Sequence, residues 1–210
     1  MAVITRLVAS KERAKKVKVY LDGAYAFSVE AAVALDAKLR LNQELSQSNI
    51  ESLERENVAK KALVAANNIL SFRPRSENEL RQKLMRKGYD ASTVSGCIEH
   101  LKALGLVNDA AFACYWAENR ATFSPRSGRM LNLELRQKGI QAELAEKTCE
   151  EVDDESAAYA SGYKKASRVG TSDYQDFRRK VGEYLRRRGF GYEVINSSLK
   201  KLWDELAHKE

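Results

Sequence analysis

FRPRSENELRQKLMRKGY (residues 72–89) is echoed 51 positions later by FSPRSGRMLNLELRQKGI (residues 123–140). Each stretch opens on Phe-x-Pro-Arg-Ser, runs through residues that favour a helix, and closes on Lys-Gly plus a hydrophobic residue. The glycines Gly88 and Gly139 begin a series that Gly189 completes, at spacings of 51 and 50. Eight and four positions before each stand Leu80/Leu84, Leu131/Leu135 and Val181/Leu185. Six, ten and thirteen positions after stand Val94/Ile98/Leu101, Ala145/Cys149/Val152 and Ile195/Leu199/Leu202. Residues three or four apart share a helix face, so each glycine separates two helices that bury one apolar stripe apiece. A glycine after Lys or Arg in a last turn is a left-handed C-cap, and the cation complements the helix dipole.

Upstream, 57–72, 108–123 and 158–171 supply a further helix per unit, rich in small residues (Ala62, Ala66; Ala113, Ala117; Ala160, Ala166). Pro74 and Pro125, fourteen residues before the glycine, stop that helix and let the next begin. In the third unit TSDYQDF (171–177) takes the proline's place. ELRQK recurs at 79 and 134, an offset of 55, and so falls about one helical turn outside the repeat register; it reads as shared composition. Ser48 with Glu51 and Ser76 with Glu79 are candidate capping boxes, placing helix starts near 49 and 77.

Residues 3–29 read as β. In VKVYLDGAYAFSV, Asp22-Gly23 is the turn, because a type I′ hairpin needs positive φ at both central residues. Counting outward, Leu21 faces Ala24, Tyr20 faces Tyr25 and Val19 faces Ala26, which sets an aromatic face (Tyr20, Tyr25, Phe27) against an aliphatic one (Val17, Val19, Leu21). VITRLVA (3–9) adds a third strand, and from Val29 onward the chain reads helical. The expected fold is mainly α: three tandem three-helix repeats forming an elongated, curved body, preceded by a small N-terminal antiparallel β-hairpin segment. The expected boundaries are 1–47 (hairpin segment and short helix), 48–107 (first repeat with its leading helix), 108–156 (second) and 157–210 (third).

The 36 basic and 29 acidic residues give a net charge of +7. Between Lys164 and Lys201 eleven basic residues face four acidic ones, so that stretch alone equals the whole excess. From Glu143 to Glu155 seven acidic residues accompany only Lys147. Such asymmetry points to a polyanionic or acidic partner at one end. The basic stretches SKERAKKVK (10–18) and FRRKVGEYLRRRGFGY (177–192) interleave cations with Phe177, Tyr184, Phe190 and Tyr192. Seven-residue spacing puts Arg179 with Arg186, and Lys180 with Arg187, on shared faces, an arrangement that tracks phosphates while aromatics stack on unpaired bases. The candidate contacts are Lys164, Lys165, Arg168, Arg178, Arg179, Lys180, Arg186, Arg187 and Arg188, with Arg73, Arg75, Arg126 and Arg129 as a possible basic edge across units.

Catalytic chemistry has little to stand on. His100 and His208 are the only histidines, and His100 has no Cys or Ser at catalytic spacing. Cys97, Cys114 and Cys149 form no C-x-x-C pair and read as reduced, mostly buried small hydrophobes. The acidic run reads as a solvated helix end rather than a metal site, and no phosphate-binding glycine loop is present. No stretch has the length and apolarity of a membrane span or secretory leader, so the chain reads as a cytoplasmic monomer without cofactor or metal.

RPRSENELRQKLMRKGYDASTVSGCIEHLKALGLVNDAAFACYWAENRA (73–121), continued by LELRQKGI (133–140), resembles the RecX family, regulatory proteins that act on RecA recombinase filaments. The resemblance rests on R-S-x-x-E-L-x-x-K-L-x-x-K-G-Y, on the turn at Leu101, Leu104, Gly105 and Leu106, and on Asp109, Phe112-Ala113 and Arg120. It implies a non-enzymatic modulator that binds RecA and RecA–DNA filaments, in the groove or at the end. It further implies suppression of ATP hydrolysis, strand exchange and coprotease action, as part of DNA repair and the SOS response. The alternative from another class is a sequence-independent DNA-binding module of helix-turn-helix-like repeats acting without RecA.

Overall fold

The computed structural model describes residues 1–9, 16–170 and 172–207. Among these, four strands and ten helices follow in order: β1 (Ala2–Ala9), β2 (Lys16–Leu21), β3 (Ala24–Glu30), α1 (Ala31–Asp36), β4 (Glu44–Leu45), α2 (Gln47–Leu70), α3 (Glu77–Arg86), α4 (Ala91–Ala103), α5 (Asp109–Phe123), α6 (Gly128–Gln137), α7 (Ala142–Cys149), α8 (Asp154–Val169), α9 (Tyr174–Arg187) and α10 (Tyr192–Ala207). The chain divides into two compact units, one of Met1–Arg73 with Leu80–Val107, the other of Pro74–Glu79 with Asn108–Glu210.

In the first unit, the strands form an antiparallel sheet of order β3-β2-β1-β4. Asp22 and Gly23 take φ values of 47° and 84°, as a type I′ turn demands. Leu21 pairs with Ala24 and Tyr20 with Tyr25, but Val19 pairs with Phe27 rather than Ala26 because the register shifts at a bulge. The extra residue turns Phe27 out of the expected aromatic face and into the core beside Val19 and Ile4. The expected continuous helix after Val29 is also interrupted. Only Ala31–Asp36 is helical; Lys38 and Asn42 then adopt positive φ, and Glu44–Leu45 returns to pair with β1.

Helix α2 begins at Gln47, not near 49. Its capping box is Ser46 with Asn49, each side chain satisfying the other's backbone N–H, rather than Ser48 with Glu51. At 24 residues it serves two cores. Leu53 packs under the sheet, while Ala62 and Ala66 join Leu80, Leu84, Val94, Ile98 and Leu101 in the first repeat. Asn57 ties the helix to β3, donating to the Ser28 carbonyl and accepting from the Glu30 N–H.

The second unit holds the other two repeats, each with its own core: Phe112, Ala113, Leu131, Leu135 and Ala145 in one, Ala158, Phe177, Val181, Leu185 and Leu199 in the other. All three cap glycines have positive φ, at 89°, 86° and 91°. In α8 the small residues packed inward are Ala158, Ser161, Gly162 and Ala166; Ala160, expected among them, is exposed. Helix α9 has 14 residues against 10 in α3 and α6. Gln175 stands where those units have proline, so the helix starts about a turn earlier, capped by Asp173.

Within this second unit, which includes Pro74–Glu79, two helix starts are held by one scheme. Ser76 Oγ accepts from the Glu79 N–H, Ser127 Oγ from the Met130 N–H, and both serines are fully buried N-caps. The first N–H of each middle helix, at Glu77 and Gly128, is taken by a carboxylate from the next repeat's first helix, Asp109 and Asp154, both at 2.8 Å. The next cap turn then seats on the same helix start. Ser76 Oγ donates to the Lys138 carbonyl, and the Ser127 N–H donates to the Arg188 carbonyl. An added Cβ on Gly139 would lie 2.3 Å from Asn78 Cβ, and one on Gly189 2.6 Å from Ser127 Oγ. Glycine is required there by conformation and by close approach together.

Candidate partner and nucleic-acid interface

The third repeat carries an exposed basic surface. Helix α9 turns Phe177, Val181 and Leu185 inward and leaves Arg178, Arg179, Lys180, Arg186 and Arg187 exposed. They are not equivalent. Asp176 takes Lys180 at 2.6 Å and Arg179 at 2.5 Å, and these hydrogen bonds, Lys180's first, hold its carboxyl below the usual carboxylate range. Arg188 belongs to the fold: its guanidinium donates to Ser124 Oγ and the Pro125 carbonyl and lies 4.5 Å from the Tyr184 ring centre. On α8, Lys164 and Arg168 are exposed and one turn apart, while Lys165 is half-buried.

The expected basic edge is largely internal. Arg75 pairs with Glu79 at 3.8 Å, and Arg126 pairs with Glu134 at 2.9 Å. Glu134 also accepts from Arg120 Nε at 2.7 Å and Trp116 Nε1 at 2.9 Å, and its side chain is only 12% exposed. Arg73 is half-buried and Arg129 exposed. Thus the two ELRQK glutamates, one turn out of phase, each meet the arginine of their own Pro-Arg-Ser. Sequence reasoning missed this because a pattern measured against one register hides a side chain that reaches across one turn. Phe72 and Phe123, which open the two echoes, are 85% and 73% exposed.

In the acidic run Glu143, Glu146, Glu150 and Glu151 are exposed, as a solvated helix end would be, while its last three residues have structural tasks. Asp153 caps α8, Asp154 caps α6 and Glu155 pairs with Lys201. Cys97 is buried and Cys149 half-buried, its thiol pushed up to about 11 by desolvation, but Cys114 is exposed against the expectation of burial. His100 is exposed in the last turn of α4. Residues 10–15 of the basic stretch SKERAKKVK, Thr171 and His208 lie outside the described residues. Among the described residues no cluster of three or more His, Cys, Asp or Glu is placed to hold a metal ion, and no helix is long and apolar enough to cross a membrane.

The same residues match three models in succession: the first three-helix domain of RecX over 62–101, the second over 108–148 and the third over 153–199. The chain belongs to the RecX family. Among proteins named Regulatory protein RecX, that of Levilactobacillus brevis is 31% identical over 208 residues, covering 96% of this chain and 77% of its own. That of Amycolatopsis mediterranei is 36% identical over 149 residues, or 68% and 85% of the two chains. In fold, the chain is similar to a crystal structure of regulatory protein RecX, with a TM-score of 0.71, 23% identity and coverage of 96% and 100%. RecX from Lactobacillus salivarius has a TM-score of 0.58 at 24% identity, covering 70% of this chain and 97% of that one. The motif residues of the family have visible tasks here: Asp109 caps α3, Phe112 and Ala113 fill the second core, and Arg120 feeds Glu134.

Proposed function

We propose that this protein regulates RecA, binding RecA and RecA–DNA filaments and inhibiting recombination, ATP hydrolysis and coprotease action. The observation that carries this reading is the succession of three RecX domains, in order, over residues 62–101, 108–148 and 153–199. The order within the second unit supports it physically: helix starts and cap turns held by buried serines and paired aspartates are pre-ordered, which reduces the ordering cost of binding. On the surface of that unit Arg186, Arg187 and Arg178 of α9, with Lys164 and Arg168 of α8, contact phosphates or an acidic face of the filament. The protein acts by contact rather than by catalysis, in the same compartment as RecA.

The test is DNA-dependent ATP hydrolysis by the cognate RecA, titrated with this protein below one copy per RecA, beside a DNA-only binding assay. Suppression at concentrations where DNA alone is barely bound is the expected result. Unchanged hydrolysis together with tight, salt-sensitive DNA binding would favour the second reading, a sequence-independent DNA-binding module, which the exposed arginines of α9 beside exposed Tyr192 recommend.

A further inference from the structure

An open groove of about 410 Å³ runs between α9 and α10 in the third repeat. Gly182, Ile195 and Leu199 line its floor, and Tyr192, 73% exposed, stands on its wall. Arg178, Arg179 and Arg186 outnumber Glu183 on the rim; Arg179 is engaged by Asp176, so Arg178 and Arg186 set its sign.

The other repeats show what is particular to this groove. The corresponding groove of the second repeat has Asn132 where the third has Gly182, seven before the cap glycine. It has Cys149 in place of Leu199, and Glu146 and Glu150 in place of Asn196 and Lys200. In the first repeat the positions seven before and seven after the cap glycine are Arg81 and Ser95, and Arg81 Nη1 donates to Ser95 Oγ across them at 3.0 Å. The second and third repeats both form this cleft, and of the two only the third has an aliphatic floor of Ile195 and Leu199 beneath Arg178 and Arg186.

Gly182 is the second clue. Glycine inside a helix is less favourable than alanine, and Gly96 in α4 shows that it also occurs with nothing near an added Cβ. At Gly162 the need is packing, since an added Cβ would lie 2.7 Å from Leu202 Cδ1. At Gly182 a Cβ would meet only Leu199 Cδ1 at 3.6 Å and Ile195 Cγ2 at 3.9 Å, ordinary contacts. The interior therefore does not require glycine there, and its bareness leaves the groove floor open over Ile195 and Leu199.

We infer that the α9–α10 groove docks an acidic peptide segment of the regulated partner. One large apolar side chain sits over Gly182 against Ile195 and Leu199, beside Tyr192, and flanking carboxylates fork onto Arg178 and Arg186. A peptide fits better than a nucleic acid strand because the floor is aliphatic: a base would desolvate its polar edges there without partners. The occupant belongs to the partner, so the inference rests on the regulatory reading above, but its test needs no RecA.

A fluorescein-labelled heptapeptide with one central phenylalanine among glutamates and aspartates is titrated with the full chain and followed by anisotropy. Saturable binding is expected, weakened about tenfold when the phenylalanine is replaced by alanine, and about tenfold by Gly182→Leu, whose side chain occupies the floor. Thermal melting checks the fold of that variant, and the surface pair Arg178→Gln/Arg186→Gln gives a second, independent loss. Equal binding of the phenylalanine and alanine peptides, or binding indifferent to both variants, overturns the proposal. So does a labelled oligothymidylate that binds more tightly than the peptide and is expelled by Gly182→Leu. Failure here with RecA inhibition intact removes the groove alone; peptide binding with no effect on RecA removes the regulatory reading instead.

Discussion

Glu134 gathers several interactions at one mostly buried carboxylate. Its carboxylate neutralises Arg120 and Arg126 and accepts from Trp116, which stacks on Phe112 at 6.0 Å and carries Lys138 Nζ 3.9 Å from its ring centre. Glu134→Gln leaves two mostly buried guanidinium groups without their counter-charge, so a loss of about 2–3 kcal/mol in urea unfolding is expected, with an unchanged m-value. The cap glycines allow a cleaner separation of causes. Gly88 has the left-handed conformation but nothing within 4 Å of an added Cβ, whereas Gly139 and Gly189 have both the conformation and a neighbour. Gly88→Ala should therefore cost about 1–2 kcal/mol, the strain term alone. Gly139→Ala and Gly189→Ala should cost visibly more, because the helix start beneath must move. Equal losses at all three positions would show that the stacking contact is slack.

At the scale of one helix, α9 is where charge and packing are most separated, and Asp176 governs how much of that charge is available. Its lowered carboxyl contributes stability that is present above the ordinary carboxylate range and is lost only as pH falls through the lowered value, so the pairing with Lys180 and Arg179 persists in mildly acid solution. Asp176→Asn frees both cations. Binding to single-stranded DNA should tighten, and the slope of log affinity against log salt should steepen by about one to two phosphate contacts, measured by anisotropy between low and moderate salt. A slope equal to that of the wild type would mean that Arg179 and Lys180 point away from the bound strand.

For the molecule as a whole, the arginines at 186–188 divide into two kinds although they are adjacent. Arg186→Ala/Arg187→Ala should weaken filament and DNA binding and flatten the salt slope by about two, with an unchanged melting temperature. Arg188→Ala should do the reverse. It loses contacts to Ser124, Pro125 and Tyr184 across two repeats, and its cost appears as a lower melting temperature with little change in slope. Parallel melting and titration of the two variants decides the point.

Local signals settled much of this. Cap glycines, apolar stripes and the Asp22-Gly23 turn each depend on a few neighbouring residues, so the three repeats, the mainly helical fold and the family were legible before any coordinate. What went astray needed distance in space. The bulge that moves Phe27 inward is set by the core beneath the sheet, and the Ser46/Asn49 box by where α2 must begin to reach both cores. Arg75, Arg126 and Arg188 look in the sequence like their exposed neighbours, because a cation's spacing says nothing of the carboxylate or carbonyl that folding brings to it. The aspartates Asp109 and Asp154, serving helices 32 and 26 residues upstream, make the same point. Short-range chemistry in the chain determined the elements and their order; only tertiary contact decided which charges hold the repeats together and which remain for a partner, because pairing depends on approach and desolvation that no local pattern contains.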